Sequence, residues 1–119
     1  MARFPFPLTR FDMNIDFTQA RSVQAMEEDA RNDLKDAAKH ACAHRTSTVL
    51  STAAQLNLAA DAAAGALGAA DMAAYAAWRA WVKEMRATWP RLATTQTDLA
   101  TDGFWPVLPH AVAELARKY

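Results

Sequence analysis

Residues 71–90 read DMAAYAAWRAWVKEMRATWP, and their spacing decides the fold class. Large apolar side chains recur at Met72, Tyr75, Trp78, Val82, Met85 and Trp89, in steps of three and four. That period puts them on one face of an α-helix, because about 3.6 residues complete a turn. Asp71 is suited to cap the first turn. Pro90 biases Trp89 away from helix and predicts a boundary there. Arg79, Lys83 and Arg86 form a basic strip on a different face. Such a helix turns its rings toward neighbours and its cations toward water. Trp81 sits off the stripe, so it is expected to be exposed or to reach a subunit contact, where Trp is enriched.

Upstream, residues 53–80 are dominated by Ala. Ala favours helix because it loses no side-chain entropy there, yet it buries little area. An Ala-rich helix therefore gains most from close approach to a neighbour, in the same chain or in another subunit. Val49, Leu50, Ala53, Leu56, Ala60 and Ala63 predict one helix face, with Gly65 and Gly68 ending it. Before it, Val23, Met26, Ala30, Leu34, Ala37 and Ala41 mark a narrow stripe. The rest of that surface carries Glu27, Glu28, Asp29, Arg31, Asp33, Lys35, Asp36 and Lys39. A narrow stripe with charged flanks suits a bundle or a coiled-coil seam. This first helix is expected to begin near Asp16 or Thr18, either of which can cap it. Thr46, Ser47 and Thr48 leave open whether it kinks or continues into the next.

Residues 1–15 read as an extended arm, since Pro5 and Pro7 fix φ and remove two backbone donors. Its rings, Phe4, Phe6 and Phe11, either pack back on the parent helices or insert into a partner. Residues 93–103 are rich in Thr and Asp and predict a loop. Phe104-Trp105-Pro106-Val107-Leu108-Pro109 is extended and apolar, and a last helix follows from His110. No strand pattern of useful length is present. The expected fold is all-α: a helical hairpin or a three- to four-helix bundle. It comprises an arm over 1–15 and a helical domain over 16–119 that holds the extended Trp-Pro segment.

The chain has 119 residues, with 13 basic and 13 acidic side chains and no net charge. A neutral chain lacks the excess cations that nucleic acid requires, and nothing draws it to an anionic membrane. Asp61, Asp71 and Arg79 interrupt the longest apolar runs, so no membrane span is expected. The start, MARFPFPLTRFD, has no continuous apolar core of a signal peptide. Cys42 is the single cysteine and can form no internal disulfide. A cytoplasmic location is expected.

His40, Cys42 and His44 spell HxCxH on a predicted helix. His40 and His44, one turn apart, could share a metal ion. Cys42 points about 160–200° away from both at ~100° per residue, so it cannot join them. No third ligand lies nearby in sequence, and solvated or interhelical histidines are the simpler reading. Cys42 itself reads as a small buried side chain, because a nucleophile needs a lowered pKa and an orienting base. The Arg79, Lys83 and Arg86 strip could grip an acidic partner, against the simpler reading of a solvated face. Three glycines supply no phosphate loop. No enzyme activity and no cofactor are expected.

Ala74-Tyr75-Ala76-Ala77-Trp78-Arg79-Ala80-Trp81, followed by Phe104-Trp105-Pro106-Val107-Leu108-Pro109, resembles the C-terminal region of bacteriophage tail-fibre assembly proteins and tail assembly chaperones. Those proteins often end with a Tyr-xx-Trp/Tyr-Arg helix, a short loop and an aromatic-Trp-Pro-x-x-Pro segment. Gln55-Leu56-Asn57 also looks like the Gln-x-Asn step found before that region in related phage proteins. The resemblance implies a chaperone that helps a tail fibre fold, trimerise or attach. It would act in the host cytoplasm and could remain on the virion. Fibre chains expose strand edges and apolar tips before assembly, and these aggregate unless covered. The resemblance carries function to Tyr75, Trp78, Arg79, Trp105 and Pro106, with core packing the competing role for Tyr75 and Trp78. The expected partner contacts add Phe4, Phe6, Phe11, Trp81 and Phe104. Two alternatives remain: a self-associating helical scaffold or coat protein, and a metal- or thiol-dependent enzyme built on His40, Cys42 and His44.

Overall fold

A computed structural model describes residues 5–95 and 98–119, with side chains from Ser22 onward. The chain is all-α. Helix α1 spans Pro5–Val49, α2 Thr52–Ala63, α3 Ala69–Thr95 and α4 His110–Ala116, with a 3₁₀ turn at Asp102–Phe104. No strand occurs among the described residues. The chain divides into two units, residues 1–33 and residues 34–119.

The sequence predicts an extended arm over residues 1–15, but the backbone is helical from Pro5. Pro5 and Pro7 fall in the first turn, where amide protons have no intrahelical partner, so their missing donors cost little. Phe4 lies outside the described residues, as do the side chains of Phe6 and Phe11. Helix α1 also continues through Thr46, Ser47 and Thr48. Their hydroxyls donate back to the carbonyls of Ala43 and His44 at 2.8–3.1 Å, within the same helix.

The break comes at Leu50 and Ser51. Ser51 adopts extended geometry and its hydroxyl accepts from the Ala54 amide at 3.1 Å, capping α2. This break resets the helical phase. The face predicted from Ala53, Leu56 and Ala60 is therefore exposed, and Ala54 and Leu58 are buried instead. At the far end Gly65 takes φ +71°. Its amide donates to Ala62 and the next amide, from Ala66, donates to Asp61. This pair of bonds is a Schellman ending, and it needs the left-handed backbone that Gly adopts without strain.

Helix α3 is the centre of the unit formed by residues 34–119. Its buried positions are Ala74, Trp78, Trp81, Met85, Thr88, Leu92 and Ala93. From Ala74 to Leu92 they alternate steps of four and three, which is a heptad seam. The seam passes through Trp81, which is only 5% exposed, and leaves Met72 outside. The expected exposure of Trp81 is thus corrected: α3 packs against both α4 and α2, and the stripe buried there runs through Trp81. Asp71 lies inside the first turn rather than at the cap, and it accepts from Lys118 Nζ at 2.8 Å. Pro90 does not end the helix either. It forgoes one bond to the carbonyl four residues earlier, and burial of Leu92 and Ala93 beyond it carries the helix to Thr95.

Around this seam Leu50, Leu58, Met85, Val112 and Leu115 are almost fully enclosed. Cys42 joins them from α1 and Trp105 from the extended segment. Val112 and Leu115, three residues apart, are the buried positions of α4.

Candidate protein-docking surface

Arg45 organises one side of the 34–119 unit. Its Nη1 donates to Asp102 Oδ1 at 2.9 Å, and its Nη2 donates to the carbonyls of Leu99 and Ala100, each at 3.1 Å. The guanidinium lies 5.1 Å from the centre of the Trp105 ring, a cation–π contact. Trp105 Nε1 donates to the same Leu99 carbonyl at 3.0 Å, which uses both lone pairs of that oxygen. The turn that presents these carbonyls is held by Asp98, which accepts from the Ala100 amide and the Thr101 hydroxyl. Trp81 Nε1 in turn donates to the Pro106 carbonyl at 3.2 Å. A segment without regular hydrogen bonding is thereby fixed to two helices. Beside it lies a groove of about 800 Å³, walled by Trp81, Met85 and Trp105 and rimmed by Val107, which is 89% exposed.

A second concavity is basic. Two adjoining hollows, about 610 and 340 Å³, share Gln55, Val82 and Arg86. Arg79, Lys83 and Arg86 line them from α3 and Lys39 from α1, and no carboxylate is among the lining residues. Arg79 also lies 6.0 Å from the Tyr75 ring centre. Lys39, Lys83 and Arg86 form no ion pair among the described residues. Cys42 borders this cleft but is 5% exposed. Burial pushes its thiol above the ordinary value, against a smaller opposing pull from Arg86. A thiol held protonated in this way is a weak nucleophile.

Within α1, every residue from Ser22 to Ala37 is exposed. The run includes Val23 at 54%, Met26 at 69% and Leu34 at 37% exposure. These are stripe positions read from the sequence.

No family model, curated protein or solved structure matches this chain.

The sequence-predicted contact residues separate into three groups. Trp78, Trp81 and Trp105 are each 5% exposed, and the first two rings stand 5.5 Å apart. They belong to the hydrophobic core of the chain. Tyr75 and Pro106 are half-buried, while Arg79 and Phe104 are exposed. Phe4, Phe6 and Phe11 fall outside the described side chains. His40 and His44 are both exposed, and no group of three metal-binding side chains gathers among the described residues.

Arg45 and Asp102 escaped the sequence reading, and Lys39 and Gln55 were read there without a place in a cleft. Arg45 sits beside a run of hydroxyl residues, and only folding brings residues 99–105 to it. For the basic cleft a signal existed in the spacing of Arg79, Lys83 and Arg86, but Lys39 and Gln55 come from other helices.

Proposed function

We propose that this protein is a protein-binding helical module that docks through the uncovered face of α1. One observation carries the reading: four turns of helix, residues 22–37, keep Val23, Met26 and Leu34 in water. Helices in water owe most of their stability to packing of an apolar face. A helix that presents such a face with i, i+3 and i+4 anchors has the form that grooves of partner proteins accept. Because they are already partly covered, completing the burial of those three side chains would contribute on the order of 1 kcal/mol each before binding costs.

For the partner we propose a phage tail-fibre or other tail protein. Support comes from the resemblance at Ala74–Trp81 and Phe104–Pro109. Since Trp78, Trp81 and Trp105 pack inside the chain, that motif reads as a scaffold that holds α1 and the exposed Phe104 in place. No helix among the described residues is long and apolar enough to cross a membrane.

Co-expression with an aggregation-prone tail-fibre chain tests this. Soluble fibre should rise with the wild-type chain and fall back with Val23→Asp/Met26→Asp, whose own melting temperature should be unchanged because both sites are exposed. Absence of rescue, or full rescue by the double variant, would overturn it.

A further inference from the structure

We infer that the basic cleft receives the acidic flank of α1 from a second copy of this chain. Asp29, Asp33 and Asp36 are spaced by four and then three residues, and so are Arg79, Lys83 and Arg86. At ~1.5 Å rise per residue, both strips step by about 6 and then 4.5 Å. Laid parallel, each carboxylate meets one cation: Asp29 with Arg79, Asp33 with Lys83, Asp36 with Arg86.

All six side chains belong to exposed residues. None forms an ion pair among the described residues. Lys39 lies one turn beyond Asp36, so the C-terminal end of the acidic flank has one cation beside it. Arg31 and Lys35 lie about 100° or more around α1 from the acidic flank, and the cleft has no lining carboxylate. The wider charge distribution points the same way. Residues 1–33 hold six acidic and four basic side chains, whereas residues 34–119 hold seven acidic and nine basic. A foreign acidic protein could satisfy the cations too, but the matched order of spacings is found within this one sequence.

The contact is separate from docking of a foreign chain. It uses Asp29, Asp33 and Asp36, none of which is an apolar anchor of the docking face. It is isologous if two copies exchange α1 segments, and it propagates into longer assemblies if they do not.

Sedimentation and light scattering on the full chain provide the test. At about 50 mM salt the wild type should associate, and near 500 mM its apparent Kd should rise more than about tenfold as exposed charges are screened. Arg79→Glu/Lys83→Glu/Arg86→Glu and Asp29→Lys/Asp33→Lys/Asp36→Lys should each be monomeric, with unchanged circular dichroism. An equimolar mixture of the two triple variants should associate again, because the charges are then complementary. A wild type that is monomeric at roughly 100 µM in low salt would overturn the inference. So would a triple variant that still associates, or a mixture that stays monomeric.

Discussion

Arg45 donates to three acceptors within residues 99–102 and stacks on Trp105, so its loss should loosen the whole extended segment. The contributions are unequal. The Asp102 side chain is 92% exposed, so that ion pair is screened by water, and Asp102→Ala should cost under about 1 kcal/mol. The Leu99 carbonyl and the Trp105 face are better shielded. Arg45→Met should therefore cost about 1–3 kcal/mol, and Arg45→Lys should recover only part, since an ammonium lacks the fork that reaches Asp102 with one nitrogen and the carbonyls with the other. Thermal unfolding of the three variants checks the order. Tyr119 acts at the other end of the unit. Its hydroxyl donates to Asp61 Oδ2 at 2.6 Å. That bond, then partial burial and the charges of Asp61 and Asp71, raise the phenol above its ordinary value. The fold thus prefers neutral Tyr119. The stability from this preference is complete below the ordinary phenol value of about 10 and is lost as pH rises through the raised one. Tyr119→Phe should unfold earlier than wild type near neutral pH, and the gap should narrow in melts at strongly alkaline pH.

The helices were legible as elements, while their faces were legible only in part. Steps of three and four announced α3, yet two such stripes overlap on it, Met72–Trp89 and Ala74–Leu92. The choice between them depends on where α2 and α4 lie, and that is not local information. Burial followed the second stripe, so Trp81 moved from surface to core. In α2 the error was one of phase. A reading that ran on from Val49 missed the reset at Ser51, although Ser before an Ala-rich run is a capping signal. The docking surface divided similarly. The α1 stripe and the α3 cations were visible as periodic patterns, whereas the Arg45 contacts join residues more than fifty positions apart. The corrected phase of α2 gives a sharp contrast. Leu58 is fully enclosed and Leu56 is 67% exposed. Leu58→Ala should cost about 2–5 kcal/mol through lost contacts and a cavity, while Leu56→Gln should stay within about 0.5 kcal/mol. Equal effects in chemical denaturation would return the buried face to the Leu56 side.

At the scale of the molecule, stability and recognition draw on different residues. The described core begins at Ala38 and is completed by α2, α3, α4 and the Trp105 segment, all within residues 34–119. Residues 22–37 contribute no buried side chain to it. An element with few buried contacts opens at low free energy, so its amides should exchange far faster than those of Trp78–Met85, which protect the centre of the seam. The same separation predicts the outcome of a deletion. A chain starting at Leu34 keeps every described core residue and the whole basic cleft, and it loses Val23, Met26, Asp29 and Asp33. It should melt within a few degrees of the full chain, on the scale of about 4–8 °C per kcal/mol for a unit of this size. It should neither rescue a fibre chain nor associate with itself. It should still bind the Arg79→Glu/Lys83→Glu/Arg86→Glu variant at low salt, because that variant brings an intact acidic α1 to an intact cleft. A deletion that unfolds the remainder would show that residues 1–33 serve the fold and not a partner.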